Sequence, residues 1–174
     1  RGLGDVYHRH PQPNISMVQG AACGGGFAFA LAADVRIAAD TAKMNAAFIK
    51  LGLSACDMGT SYFLPRLVGT SIASELMLTG KFIDAERCLS TNLVSEVVSE
   101  QDLLATANDY AQQMLLASPM GLRLTKDGLN VAIDAAGLEA AIAVENRNQV
   151  LCSRTKDAKE GMLAFIEKRT PQYT

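Results

Sequence analysis

The stretch Gln19-Gly-Ala-Ala-Cys-Gly-Gly-Gly26 is where this chain is best equipped for chemistry. A short apolar run, Ile15 to Val18, leads into it, and a small-residue helix predicted over Gly26 to Ala33 leaves it. A strand–turn–helix junction of this kind presents main-chain N–H groups at a helix N-terminus, where negative charge is favoured. Glycines at 24, 25 and 26 carry no Cβ, so a ligand can come close to the main chain. The chemistry that fits is the holding of an oxygen that becomes an anion. The plainer reading is that the glycines only let strand and helix pack closely. A phosphate-cradling loop fits less well, because neither G-x-x-x-x-G-K-[ST] nor G-x-G-x-x-G is present.

The surrounding elements follow from periodicity and punctuation. Residues 1–13 read as loop. Ile15–Val18, Val35–Ala38 and Lys43–Asn45 read as short strands around the helix. Leu51–Gly59 reads as loop and Thr60–Val68 as a helix closed by Gly69. Ser71 is expected to cap a helix through Leu78 that Gly80 closes. Leu93–Val98 is the last β-rich run. Beyond it the pattern is helical: Gln101–Leu116, a helix opened by Pro119 with Leu122, Leu129 and Ile133 on one stripe, Leu138–Leu151, and Thr155–Lys168. In the last of these Thr155 is the expected N-cap, Asp157 sits in the first turn, and Ala158, Met162, Phe165 and Ile166 are expected to be buried. An α/β part, residues 1–100, thus precedes a helical part, residues 101–174, with no repeat or linker between them.

Composition narrows the class. The chain has 174 residues, 49% apolar and 20% charged, which suits a globular fold able to bury a core. Its 16 basic and 18 acidic residues give a net charge of −2, without the basic excess of a nucleic-acid protein. Phe27–Ala33 is too short to span a bilayer, and Arg1–His8 holds no apolar secretory h-region. A cytoplasmic location is expected. Cys23, Cys56, Cys88 and Cys152 form no C-x-x-C pair and read as reduced thiols. His8 and His10 read as an exposed pair, and no metal site is expected.

Taken together, several pieces resemble the crotonase, or enoyl-CoA hydratase/isomerase, superfamily. They are Val18-Gln-Gly-Ala-Ala-Cys-Gly-Gly-Gly26, Ala33-Asp-Val-Arg-Ile-Ala38, Leu51-Gly-Leu53, Gly59-Thr60, Leu64-Pro-Arg-Leu-Val-Gly69, Leu78-Thr-Gly80, Leu93-Val-Ser-Glu-Val97 and Glu160-Gly-Met-Leu-Ala-Phe-Ile-Glu-Lys-Arg169. The resemblance implies an α/β fold: a spiral of ββα units followed by C-terminal helices that build trimers, often paired into hexamers. It implies an acyl-coenzyme A thioester as substrate and no separate cofactor, neither nucleic acid nor membrane being a partner. It also implies that family members carry more of the domain ahead of Ile15, including a second oxyanion donor. The Gly25 N–H is the donor it assigns here. Cys23, Gly24, Gly26, Ala28, Phe48 and Leu53 would surround the thioester. Phe165 and Lys168 would touch the coenzyme A of a neighbouring subunit.

This chain departs from the family pattern at the proton-transfer positions. Hydratases of the family carry two glutamates; the matching positions are Ala28 and Phe48, and neither side chain transfers a proton. Asp57 is the carboxylate at hand, in a context similar to that of dienoyl-CoA isomerases. It reads either as a proton shuttle or as the N-cap of the helix starting near Gly59 or Thr60. Phe27, Phe29, Met44 and Phe48 read as an acyl pocket or as core. Cys23 and Cys56 flank the site without a histidine to activate them. Asp34, Glu75 and Glu86 read as surface or helix-end charges. Isomerase or other lyase chemistry therefore weighs equally with hydration. The alternative is a catalytically inactive protein that binds acyl-coenzyme A.

Overall fold

A computed structural model describes residues 10–174; His8 and the rest of residues 1–9 lie outside the described residues, and His10 is exposed. The chain divides into two compact units. One comprises His10 and Asn14–Asp109, the other Pro11–Pro13 and Tyr110–Thr174.

The first unit is built on two three-stranded sheets. Strands β1 (Ile15–Val18), β3 (Val35–Ala39) and β6 (Glu96–Val98) form one, in the order β1-β3-β6 and all parallel. Strands β2 (Ala21–Cys23), β4 (Lys43–Asn45) and β5 (Ile83–Asp84) form the other, with β2 and β4 parallel and β5 antiparallel to β4. The chain therefore winds as ββα units. β1 enters one sheet, β2 the other, and helix α1 (Gly25–Ala32) follows; β3 and β4 repeat the step, and helix α2 (Thr60–Thr79) follows. This is the expected α/β spiral. A 3-10 helix, Ala47–Leu51, and a short helix α3, Ala85–Ser90, complete the unit.

Helix α1 is apolar all round and, as such helices must be, it is buried: Phe27, Ala28, Ala30, Leu31 and Ala32 are all covered. β3 is the central strand of its sheet, and Ile37, Ala38 and Ala39 are fully buried, as parallel strands require. Arg36 interrupts that apolar run. It is 7% exposed, and its guanidinium donates to the carbonyls of Leu31, Ala33 and Leu93. At Leu31 and Ala33 it thereby satisfies carbonyls at the end of α1, where no intrahelical donor remains. Burial lowers its pKa against the pull of Asp34. Phe27 and Met44 lie in the core with Leu64, Leu76 and Ile83, so they belong to the packing and not to a pocket.

Differences from the expected elements have local causes. β2 and the 3-10 helix are additional, and β5 with α3 fills a segment left unassigned. The last strand is shorter than Leu93–Val98, because Leu93 and Val94 turn their N–H groups back to the Cys88 carbonyl. Helix α2 runs on to Thr79 but breaks at Gly69, whose φ of 78° and ψ of 163° are not helical.

The second unit is helical. Helix α4 (Leu103–Leu115) crosses the division at Asp109, and α5 (Pro119–Ala132), α6 (Leu138–Ser153) and α7 (Lys156–Glu167) follow. Ser118 caps α5 by accepting the Gly121 N–H, and Thr155 caps α7 by accepting the Ala158 N–H. The apolar side of α7 corrects the expectation of burial. Met162, Phe165 and Ile166 are 61%, 86% and 74% exposed; Asp157 and Ala164 are the buried residues of this helix. The physical reason is that nothing among the described residues covers that stripe.

Candidate functional site

The glycine turn is shaped by β2, β4 and α1. Cys23 ends β2 and pairs with Asn45 of β4. The next N–H, that of Gly24, donates to the Asn45 carbonyl at 3.0 Å, and the Gly24 carbonyl accepts from Ala28 at 3.0 Å. Gly24 has φ 53° and ψ −113°, a conformation that L side chains resist. The chain then enters α1 with Gly25 as the first helical residue. No acidic residue stands in the first turn of α1, and no side chain caps it.

The next donors along the chain are therefore uncommitted. Among the described residues no acceptor is bound to the Gly25 N–H or the Gly26 N–H. The helix end adds its partial positive charge in the same place. Gly25 is half-buried and Gly26 exposed. Gly26 also opens onto a cavity of about 630 Å3 along β1 and α1, with Ser16, Gly20, Ala22 and Phe29 on its walls. The Ser16 hydroxyl there is buried without a hydrogen-bond partner among the described residues.

Two apolar side chains press on the turn. The Phe48 ring, from the 3-10 helix, stands 3.4 Å from where a Cβ at Gly24 would be. The Met58 Sδ stands 3.4 Å from the corresponding point at Gly25. The Phe48 ring thus lies against the glycine turn as a hydrocarbon wall. Ala28 is fully buried one turn into α1. Leu53 returns its N–H to the Phe48 carbonyl at 3.1 Å, yet its side chain is 58% exposed. Cys23 is half-buried and Cys56 exposed, and no disulfide joins any of the four cysteines. Burial pushes the Cys88 thiol up to about 12, which makes it inert.

Asp57 is exposed and does not cap α2. The N-cap is Gly59, at φ 87°, with no side-chain cap bond. Asp57 instead accepts the Met58 N–H on Oδ1 at 2.8 Å, and its carbonyl accepts the Thr60 N–H at 2.9 Å. The cap expectation fails because a left-handed glycine intervenes and the carboxylate takes the nearer amide. Phe165 and Lys168 belong to the helical unit, both exposed, with Lys168 at the end of α7 at φ 54°. The sequence reading passed over Met58 and Asn45. The Asn45 side chain also donates to the Gly80 carbonyl at 3.1 Å, tying the turn to the end of α2.

Outside the turn, the charged side chains serve structure. Glu75 of α2 forms a bidentate pair with Arg87 of α3, at 2.9 and 2.7 Å. Asp34 and Asn14 exchange reciprocal main-chain to side-chain bonds. No group of three or more His, Cys, Asp or Glu that could hold a metal occurs among the described residues. No helix there is long and apolar enough to cross a membrane.

Known proteins of similar sequence and shape were found. A family model described as enoyl-CoA hydratase/isomerase matches residues 5–174. A probable enoyl-CoA hydratase of Mycobacterium tuberculosis is 42% identical over 170 residues, covering 97% of this chain and 60% of that protein. The 1,2-epoxyphenylacetyl-CoA isomerase of Escherichia coli is 37% identical over 164 residues, covering 94% of this chain and 62% of that protein. The crystal structure of a probable enoyl-CoA hydratase/isomerase from Mycobacterium abscessus superposes with a TM-score of 0.91 at 38% identity, covering 98% of this chain and 67% of that one. The chain thus spans about 60% of the length of these curated relatives.

Proposed function

The chain belongs to the enoyl-CoA hydratase/isomerase family, and from that premise we propose that the protein acts on acyl-coenzyme A thioesters through an enolate held at the Gly25 N–H. A carbanion beside a thioester forms readily only when the carbonyl oxygen can take up its charge. A backbone donor fixed in place does this without reorganising. The observation that carries the reading is the Gly25 amide, uncommitted at the start of α1 while its neighbour Gly24 is bound to Asn45.

The proton carrier in this proposal is Asp57, whose Oδ2 has no partner among the described residues. With Ala28 and Phe48 at the two glutamate positions, isomerase or other lyase chemistry weighs equally with hydration. Relatives named as hydratases and as an isomerase both match the chain. Cys23, Gly24, Gly26, Phe48 and Leu53 are the proposed surroundings of the thioester. Coenzyme A arrives as part of the substrate and no separate cofactor enters the chemistry. We further propose a trimer or hexamer in the cytoplasm, with Phe165 and Lys168 against a neighbouring subunit's coenzyme A. The exposed apolar stripe of α7 supports that assembly.

Turnover of crotonyl-CoA, a 3-enoyl-CoA and a dienoyl-CoA by the full-length protein tests the reading. Proline is tolerated at the first position of a helix, so Gly25→Pro removes the N–H there, with circular dichroism and thermal unfolding of the variant checking that the fold is kept. The substitution should lower kcat about 10²–10³-fold, whereas Gly25→Ala, which keeps the N–H, should remain active. Asp57→Asn keeps an acceptor for the Met58 N–H but cannot shuttle a proton, and should cost about 10²–10⁴-fold. Unchanged activity in Gly25→Pro would overturn the oxyanion assignment. The second reading, a binding protein without catalysis, is favoured by the buried Ala28 and the Phe48 ring on the turn. It predicts tight acyl-coenzyme A binding with no turnover of any of the three substrates.

A further inference from the structure

Met58 carries the least expected geometry near the turn. It is a non-glycine residue at φ 49°, followed by Gly59 at φ 87°. Backbone of this kind persists only where its surroundings hold it. Here the Asp57 carboxylate holds the Met58 N–H at 2.8 Å, and the Gly59 carbonyl accepts from Tyr62 and Phe63, both at 2.9 Å. A Cβ at Gly59 would lie 2.8 Å from the Phe63 ring, so a side chain there would have to move that ring as well as adopt φ 87°. The result of this bracing is the Met58 thioether set on the face of Gly25, with Sδ at 3.4 Å and Cε at 3.9 Å from the Cβ position.

We propose that Met58 is a specificity-determining residue of this site, forming the wall against the acyl Cα so that straight chains are favoured over chains branched there. The inference rests on the Gly25 N–H receiving the thioester oxygen. An oxygen about 2.9 Å from that nitrogen places the acyl Cα within about 5 Å of it. Met58 Sδ, 3.4 Å from the Cβ position of Gly25, lies within about 6 Å of that nitrogen too. On this proposal a methyl branch at Cα meets the thioether where a hydrogen does not. Methionine suits the task because its unbranched, polarizable side chain moulds to a flat acyl group. Asp57 then has a positioning part as well, since it fixes the residue that carries the wall.

The test compares dissociation constants of butanoyl-CoA, 2-methylbutanoyl-CoA and free coenzyme A by calorimetry on the full-length protein, its Met58→Ala variant and its Met58→Leu variant. The wild type should prefer the straight chain. Met58→Ala should shift the ratio of the two acyl affinities about tenfold towards the branched one, the scale of a methyl-sized change in a pocket. Met58→Leu should leave the ratio within about threefold, and free coenzyme A should bind all three alike. A second reading needs no destabilised variant: the methyl carbon of Met58, labelled with carbon-13 and assigned by its loss in Met58→Leu, should shift on adding butanoyl-CoA and stay still with coenzyme A. An unchanged ratio in Met58→Ala, or a methyl signal that ignores butanoyl-CoA, overturns the inference while leaving the proposed function standing. A wild type that binds neither acyl thioester better than coenzyme A overturns the proposed function itself.

Discussion

Glycines 24 and 80 show how differently one residue type can be required. At Gly24 the Phe48 ring leaves 3.4 Å to a Cβ, ordinary contact, so the backbone angle of 53° alone opposes a side chain. Gly24→Ala should therefore cost about 1–3 kcal/mol. At Gly80 a Cβ would come to 2.7 Å from Ile49 Cγ2 and 2.9 Å from Lys50 Cγ, on top of φ 59°. Gly80→Ala adds overpacking to strain and should cost about 2–4 kcal/mol. Urea titrations of the two variants side by side check the order. Gly25 could be placed from the sequence because it falls inside a motif with fixed spacing, and Phe48 only through the family resemblance. Met58 could not. Its importance lies in a contact across 33 positions of chain with Gly25, and no local pattern announces that a methionine in a loop will turn onto a glycine.

Among the elements, those with a strong period or a clear cap were legible. Thr155 reads as a cap by its residue type and is one, accepting the Ala158 N–H at 3.1 Å. β2 was hidden because Ala21-Ala-Cys23 has no β-branched residue; it is a strand only because β4 lies beside it. α3, at six residues, is too short to show a helical stripe. It is held instead by Asp84, which accepts the Arg87 N–H, and by the Glu75–Arg87 pair. α7 has a similar hold on the chain after it. Glu160 accepts from Arg169 at 2.5 and 2.9 Å and from the Gln172 N–H at 2.8 Å. Arg169 first, then the Gln172 amide, draws the Glu160 pKa from an ordinary 4.5 down to about 2. A carboxylate depressed in the folded state adds stability that is complete above its unfolded value and is lost as the pH falls through its folded one. The clasp should therefore loosen between pH 4.5 and 2. The protection of the Gln172 amide, its exchange rate compared at each pH with that of an unstructured chain, should fall across that range in the wild type. In Glu160→Gln that protection should be lost at every pH.

On the scale of the whole molecule, the alternation of strands between two sheets was foreseen through the family resemblance and not through any single run of residues. Hydrophobic spacing tells which segments are helical but not which sheet a three-residue strand will join. The exposure of α7 was missed for a related reason: an apolar stripe reads the same whether its own chain or another copy covers it. If copies meet there, sedimentation equilibrium of the full-length protein should give a mass three or six times that of one chain. Phe165→Glu combined with Ile166→Glu should lower it to a single chain. A mass unaffected by both charges would remove α7 from the contact.

The donor at Gly25 belongs to the main chain, and that has a practical outcome for anyone mapping this protein by substitution. An alanine scan will pass over it in silence, since alanine carries the same amide. Deep mutational maps will score every replacement there except proline by how well its side chain tolerates the Met58 sulfur, not by what the nitrogen does. Only a change in the connectivity of the backbone itself, an imino acid or an ester in place of the peptide link, can separate the shape of this turn from its hydrogen.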